Sequence, residues 1–359
     1  MSKSLIYDYS MPDLATLLAE WGQPDYRTRQ IWQGLYCNFW NIANEFSMLP
    51  LALRKKLEDF FDFSALVPNI TLVSSDGETI KTQFKLLDGK AIETVLMKYD
   101  PRAGIRQGQR ILTVQGRRTI CISTQAGCAM GCVFCATGQM GFKRHLSTGE
   151  IIAQVMYYAH LLHEQGEVVT NVVVMGMGEP FHNYDHTMAA IDRLNDPDGY
   201  NFGARRFTIS TVGLIPAIQR FTAEKRQVNL AISLHAATDE MRASMLPVDK
   251  RYPIDELLEC CRDYVAATGR RITFEWALIN GINDTPEQAH LLATKLKGLI
   301  CHVNAIPLNP TEGYSGKMTT RQRASKFKEI LTNSGIPCTI RLRRGIDISA
   351  GCGQLASRN

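Results

Sequence analysis

The sequence predicts an α/β protein whose main body is a partial barrel of six β/α units, preceded by a small α+β accessory domain. From about Arg118 onward, short apolar β-branched runs alternate with helical patterns, strand then helix, about six times over. That order calls for parallel strands joined by right-handed crossovers. No strand opens into a Gly-x-Gly-x-x-Gly helix, and several strands end in polar or Gly-rich residues. A curved barrel with its chemistry at the C-terminal strand ends therefore fits better than a flat, doubly wound sheet.

Residues 1–100 make up the expected accessory domain and a β extension. A capped amphipathic helix starts at Met11 with Pro12 in its first turn, and a second covers 26–37. Polar–apolar alternation over 79–97, around Asp88-Gly89, predicts a β-hairpin. The stretch 101–117 is rich in Gly, Arg and Gln and reads as a basic loop, and 118–359 is the barrel core. Its strands are expected at 119–123, 171–175, 207–210, 229–233, 272–276, 302–306 and 338–342. Helical patterns cover 149–164, 184–194, 254–267, 286–299 and 320–333.

With 45% apolar and 21% charged residues the chain is compositionally an ordinary globular protein. No apolar run approaches the ~20 residues needed to cross a bilayer. Met1-Ser-Lys-Ser-Leu5 lacks the apolar core of a signal peptide, so a cytoplasmic protein away from membranes is expected, with a monomer as the default. A net charge of +5 decides little alone. Arg102, Arg106, Arg110, Arg117 and Arg118 form one cluster, and Arg341, Arg343 and Arg344 another. Such clusters suit a nucleic-acid partner, or equally a solvated loop. Ten cysteines in a reducing compartment do not make a disulfide framework. Five of them, Cys37, Cys260, Cys261, Cys301 and Cys338, are expected to be small core residues.

The other cysteines are grouped. Cys128-Ala-Met-Gly-Cys132-Val-Phe-Cys135 follows the first barrel strand, so three thiols can converge on one metal centre. The fourth ligand of an ordinary zinc or iron–sulfur site is missing. A [4Fe–4S] cluster held by three thiolates keeps one iron open. That iron can chelate the amino and carboxylate groups of S-adenosylmethionine (SAM) and pass an electron to its sulfonium. A zinc site completed by His145, or three unligated core cysteines, are the blander readings. The Cys-x3-Cys-x2-Cys spacing, with an aromatic before the last cysteine, is the radical SAM signature. One β/α unit later, Gly176-Met-Gly178-Glu179-Pro180 lets backbone approach a ligand, and Glu179 can accept from the SAM amino group. Ser210, Ser233, Leu234, His235 and Asn309 lie at later strand ends and are candidate SAM contacts, or satisfied strand-end residues. Ser147 to Glu150 reads as a capping box of structural value only.

Several segments together resemble the RlmN/Cfr family of radical SAM RNA methyltransferases. They are Cys121-Ile-Ser-Thr-Gln-Ala-Gly-Cys128, Cys135-Ala-Thr-Gly-Gln-Met-Gly-Phe-Lys-Arg144, Met175-Gly-Met-Gly-Glu-Pro180, Ser233-Leu-His235 and Asp347-Ile-Ser-Ala-Gly-Cys-Gly-Gln-Leu355. The resemblance covers nearly the whole chain, Pro24-Asp-Tyr-Arg27 in the accessory domain included. It implies methylation of a ring carbon of adenosine in RNA. Adenine C2 is an electron-poor amidine carbon that does not attack a methyl sulfonium, and a radical route overcomes this. In the family, one SAM methylates a cysteine. A second SAM, cleaved at the cluster, gives a radical that takes hydrogen from the S-methyl group. The resulting carbon radical adds to C2, and a second thiol frees the product by forming a disulfide.

Matched residue by residue, the resemblance makes Cys352 the methylated cysteine, Cys121 the resolving one and Glu93 the proton acceptor. On their own surroundings, Cys121 reads as a buried strand residue and Glu93 as the polar position of an alternating strand. Glycines beside Cys352 suggest a segment flexible enough to reach both SAM and substrate. The loop between Met97 and Arg117 is longer and richer in Gly and Arg than in many of the family, which suits added phosphate contacts. Gly141-Phe-Lys-Arg144 and Thr124-Gln-Ala-Gly127 favour RlmN-type methylation of C2 over Cfr-type methylation of C8. The implied partners are 23S rRNA, at adenosine 2503, and certain tRNAs, at adenosine 37, with a flavodoxin-like reductant. Stacking on aromatics and backbone reading by arginines suit unpaired adenosines. Two other classes remain: an RNA-binding protein with a structural cluster, and a radical SAM enzyme acting on a protein or small molecule.

Overall fold

A computed structural model of the chain describes residues 3–63, 66–99 and 116–356, with the backbone of a small antiparallel hairpin at Ile105–Gln107 and Arg110–Leu112. The side chains of Arg102, Arg106 and Arg110 lie outside the described residues. Three helices open the fold: α1 (Met11–Glu20), α2 (Tyr26–Tyr36) and α3 (Leu51–Phe60). Ser10 caps α1 in a capping box with Asp13, and Pro12 occupies the first turn, where its missing N–H costs nothing. Buried Leu14, Leu18, Ile31, Leu35, Leu53 and Leu57 supply the apolar faces. Cys37 departs from expectation. It falls at the C-terminal cap of α2, past the buried turns, and is exposed, with Sγ 3.1 Å from the Gly199 carbonyl. Cys260, Cys261, Cys301 and Cys338 are buried.

One large sheet follows. Strands β1 (Val67–Val73), β2 (Thr79–Lys85) and β3 (Ala91–Tyr99) run as an antiparallel meander. β3 then pairs antiparallel with β4 (Arg117–Cys121), Val95 standing opposite Cys121. Everything beyond β4 is parallel and in chain order: β5 (Asn171–Val174), β6 (Phe207–Thr211), β7 (Asn229–Ser233), β8 (Ile272–Leu278), β9 (Cys301–Pro307) and β10 (Cys338–Ile340). All seven expected strands are present.

After the short α4 (Ala136–Gln139), the crossover helices are α5 (Thr148–Glu164), α6 (Tyr184–Asn195), α7 (Ile215–Ala223), α8 (Asp239–Met245), α9 (Ile254–Thr268), α10 (Pro286–Leu296) and α11 (Arg321–Asn333). Their presence between parallel strands explains why β7 and β8 read as near-continuous apolar runs: both sheet faces are covered. Phe207 on β6 and Phe274 and Trp276 on β8 are fully buried, each worth about 1.5–3 kcal/mol of transfer free energy. The capping box at Ser147 and Glu150 starts α5, whose first turn also takes a hydrogen bond from Gly149 N–H to Asp8 Oδ1 at 2.7 Å. β1 and β10 are the two sheet edges, so the barrel stays open. The chain leaving β10 runs back over β2 and β3: Lys81 Nζ donates to the Ser349 carbonyl, and Arg344 to that of Lys98, at 3.3 Å each. Among the described residues no helix is long and apolar enough to cross a membrane.

Candidate active site

The C-terminal ends of the parallel strands open into a cleft of about 960 Å³. Cys128, Cys132 and Cys135 line it from the loop after β4, which is tied down at three points. Cys128 N–H donates to the Gly141 carbonyl (3.1 Å), Val133 N–H to Met245 (3.0 Å) and Ala136 N–H to Gly353 (2.7 Å). Gly127, at φ +76°, opens the turn, and a Cβ there would lie 1.9 Å from the Gly141 oxygen. Burial pushes the Cys128 thiol up to about 12 and that of Cys132 well above the ordinary thiol range. Thiols so placed ionise together only against a strongly positive centre.

The donor set fits a [4Fe–4S] cluster. Among the described residues no three His, Cys, Asp or Glu side chains converge where a single ion would sit. Three thiols spread around one cleft match a cluster in which each holds a different iron. His145 does not complete a zinc site: its Nδ1 lies 3.1 Å from Gln125 Nε2, its ring packs against His182, and it does not line the cleft.

Above the thiols lie the residues expected to hold SAM. Gly178 has φ +105°, and a Cβ on it would stand 2.6 Å from Gln125 Cβ, so only glycine lets this turn close over Gln125. Glu179 is buried, with Oε1 accepting from Phe181 N–H and Oε2 from Val212 N–H, both at 2.9 Å. Burial lifts its carboxyl to about 7. Ser210 and Ser233 bring their hydroxyls within 3.2 Å of each other on neighbouring strands. His235 adopts φ +61°; its Nδ1 accepts from Ala277 N–H at 2.9 Å, which leaves the ring proton on Nε2. Burial drops its pKa to about 3, so the ring is neutral. Asn309 donates through Nδ2 to the Cys352 carbonyl at 3.0 Å, while its buried Oδ1 has no partner. An orphaned acceptor in this wall suits a ligand with ammonium or hydroxyl donors. Leu234 stands apart. Its side chain is buried in the core behind the cleft, and its carbonyl accepts from Arg242 Nε at 3.1 Å.

Among the buried charged groups that escaped the sequence reading are Glu275 and Arg242. Glu275, on β8, lines the cleft; Asn304 Nδ2 donates to its Oε2 at 2.7 Å, and burial lifts it to about 7 against the pull of Arg341. Its signal was a carboxylate inside the apolar run Ile272-Thr-Phe-Glu-Trp276. Arg242, wholly buried, donates to the Val212 and Leu234 carbonyls and pairs with Asp249 at 2.8 Å, joining the ends of β6 and β7.

Cys352 also borders a second cavity, of about 670 Å³, together with Cys121 and Arg341. Burial pushes the Cys121 thiol up to about 12. The Cys352 segment is docked, contrary to the flexibility its glycines suggest. Besides the Asn309 and Ala136 bonds, Thr137 Oγ1 donates to the Leu355 carbonyl (2.6 Å) and Gln354 Nε2 to that of Pro310 (2.9 Å). Glu93 lines neither Cys352 cavity. It is buried on β3 beside Lys81 Nζ (3.1 Å) and accepts from Ala356 N–H at 3.0 Å, four residues beyond Cys352. Of the arginines, Arg118 forms a two-point pair with Glu167, Arg343 is exposed, and Arg117 and Arg344 each stack 4.4 Å from the Tyr99 ring.

An open parallel barrel with a three-cysteine loop after its first strand and a glycine turn after its second defines a radical SAM protein, and residues 122–293 match the Radical SAM superfamily. The chain is 47% identical over 350 residues to dual-specificity RNA methyltransferase RlmN 1 of Myxococcus xanthus (strain DK1622), covering 98% of this chain and 93% of that protein. It is 45% identical over 370 residues to a probable dual-specificity RNA methyltransferase RlmN of Chloroflexus aurantiacus, covering 100% and 94%. The crystal structure of a radical SAM methyltransferase from Sphaerobacter thermophilus superposes with a TM-score of 0.92 at 46% identity, over 99% of this chain and all of that one. The chain belongs to the RlmN family of radical SAM RNA methyltransferases. Its cofactors are a [4Fe–4S] cluster and SAM.

Proposed function

We propose that the chain methylates C2 of adenosine in 23S rRNA and in tRNA, in the cytoplasm, as a monomer fed by a flavodoxin-like reductant. Residues 1–100 serve as the accessory RNA-binding domain and β extension, 101–117 as a basic loop for phosphates, and 118–359 as the catalytic barrel. Cys128, Cys132 and Cys135 would hold the cluster, which would supply the electron for reductive cleavage of SAM.

The rest is the work of the chain's own groups. Gly178, Glu179, Ser210, Ser233, His235 and Asn309 orient SAM in the cleft, with the backbone around Leu234 behind them. Cys352 takes the methyl group on Sγ, carries it to the adenine carbon, and is freed when Cys121 Sγ forms a disulfide with it. Glu93 takes the proton lost from the adenine carbon, with Lys81 as its counter-charge.

One observation carries this reading: Cys352 lines both the thiol cleft and the cavity of Cys121. A single sulfur there can meet SAM on one side and a second thiol on the other. Anaerobic reconstitution with iron and sulfide, then addition of SAM and an rRNA fragment, tests it by mass spectrometry of the nucleosides. The expected product is 2-methyladenosine. Appearance of 8-methyladenosine alone would overturn the regiochemistry, and no SAM cleavage would overturn the whole reading.

A further inference from the structure

The segment carrying Cys352 is gripped from two sides, and the two grips come from different parts of the fold. Beyond Cys352 it is held by the barrel, through Ala136, Thr137 and the Asn309 amide. Before Cys352 it is held by the antiparallel β1–β3 extension. Arg344 pairs with Glu78, lies 4.4 Å over the Tyr99 ring and donates to the Lys98 carbonyl at 3.3 Å. Three residues on, Asp347 Oδ2 accepts from Ser75 N–H at 2.7 Å, and Lys81 Nζ donates to the Ser349 carbonyl at 3.3 Å. Gly345 sits so tightly against this extension that a Cβ on it would lie 2.7 Å from Thr79 Cγ2.

These contacts share a geometry that packing alone does not require. Glu78, Tyr99 and Ser75 belong to β3 and to the turn joining β1 and β2, yet their partners all fall between five and eight residues before Cys352. β3 also pairs with β4, which carries Cys121, through the Val95–Cys121 register. The extension therefore holds the strand of one thiol and the approach to the other.

We infer that Glu78 and Arg344, with Asp347 as a second latch, are positioning residues that set Cys352 against Cys121, so that the β extension is a working part of the active site. The inference rests on the proposed pairing of Cys352 with Cys121. An oxidised thiol pair forms at a rate set by the effective concentration of one sulfur near the other, and a loosened tether lowers it. Glu78 and Arg344 are partly exposed, so their pair is worth about 1 kcal/mol, which corresponds to roughly fivefold.

The test uses the cluster-loaded full chain under anaerobic conditions with oxidised glutathione, which is reduced to two thiols as the protein disulfide forms. In Glu78→Gln, Cys121–Cys352 disulfide formation should slow about fivefold, amide exchange over 345–356 should quicken, and SAM cleavage should persist. Asp347→Asn, alone, should act in the same direction. The swap Glu78→Arg with Arg344→Glu should restore the rate. A disulfide rate equal to wild type in both single variants, with melting temperatures confirming the fold, overturns the inference. Failure of the underlying reading looks different: wild-type protein itself then forms no Cys121–Cys352 disulfide and carries no S-methyl group on Cys352.

Discussion

Glu275 sits on a strand covered on both faces, with Asn304 as its hydrogen-bond partner and Arg341 as its nearest opposing charge. Its carboxyl is lifted from an unfolded value near 4.5 to about 7. A raised carboxyl pKa means that the folded state prefers the protonated form. Stability from this group is therefore complete below about pH 4.5 and is lost as pH rises through about 7. Glu275→Gln should flatten the stability profile of the cofactor-free protein between pH 5 and 8 by about 1–3 kcal/mol, measured by urea unfolding at a series of pH values. At Cys121 the expectation is chemical. On the proposed route, removing the second thiol leaves the bond between Cys352 and the modified base with no partner to break it, so Cys121→Ala should accumulate a protein–RNA adduct on denaturing gels. The thiols were legible in the sequence because their spacing is rare. Glu275 was not, because a lone charge in an apolar run announces neither its partner nor the face it occupies, and Arg242 was not, because in Thr238-Asp-Glu-Met-Arg-Ala-Ser244 it reads as an ordinary polar helix position. The roles of Cys121 and Glu93 came from family resemblance, their local sequences being those of ordinary strands.

Elements built from strong local signals were readable. The Ser10 and Ser147 capping boxes mark the starts of α1 and α5, and a Gly269 cap at φ +65° ends α9. Replacing Ser147 by Ala should cost about 1 kcal/mol in chemical denaturation, with SAM affinity unchanged. Short elements were missed. α7 has nine residues and α8 seven, too few turns for a periodicity to stand out. β1 is exposed at every position and interrupted by Pro68, so no buried alternation betrays it. The turn after β5 makes a sharper test. Gly178→Ala places a Cβ against Gln125 at a φ that side chains rarely adopt, so it should weaken SAM binding at least about tenfold in equilibrium titration. Gln125 also accepts from Glu179 N–H, which carries the displacement to that carboxylate.

For the whole molecule, the alternation of strand and helix was enough to give the parallel barrel, because each crossover leaves a repeat long enough to see. The union of the accessory extension with that barrel was hidden, since β3 and β4 are joined through a long Gly- and Arg-rich stretch that fixes no register between them. RNA binding belongs to this scale too. If the basic loop and its neighbours engage about four phosphates, affinity should fall roughly a hundredfold between about 50 and 200 mM salt, and replacing 101–116 with a short neutral linker should reduce that slope. Ser75 and Asp347 meet across 272 positions of sequence. Such a distant contact closes late, and during synthesis it waits for Asp347 to leave the ribosome. On the proposed route, a chain cut before Cys352 keeps all three proposed cluster ligands while lacking the acceptor sulfur. On that route, carbon transfer depends on the segment from Arg344 to Cys352 being present and latched, whatever else of the fold has formed.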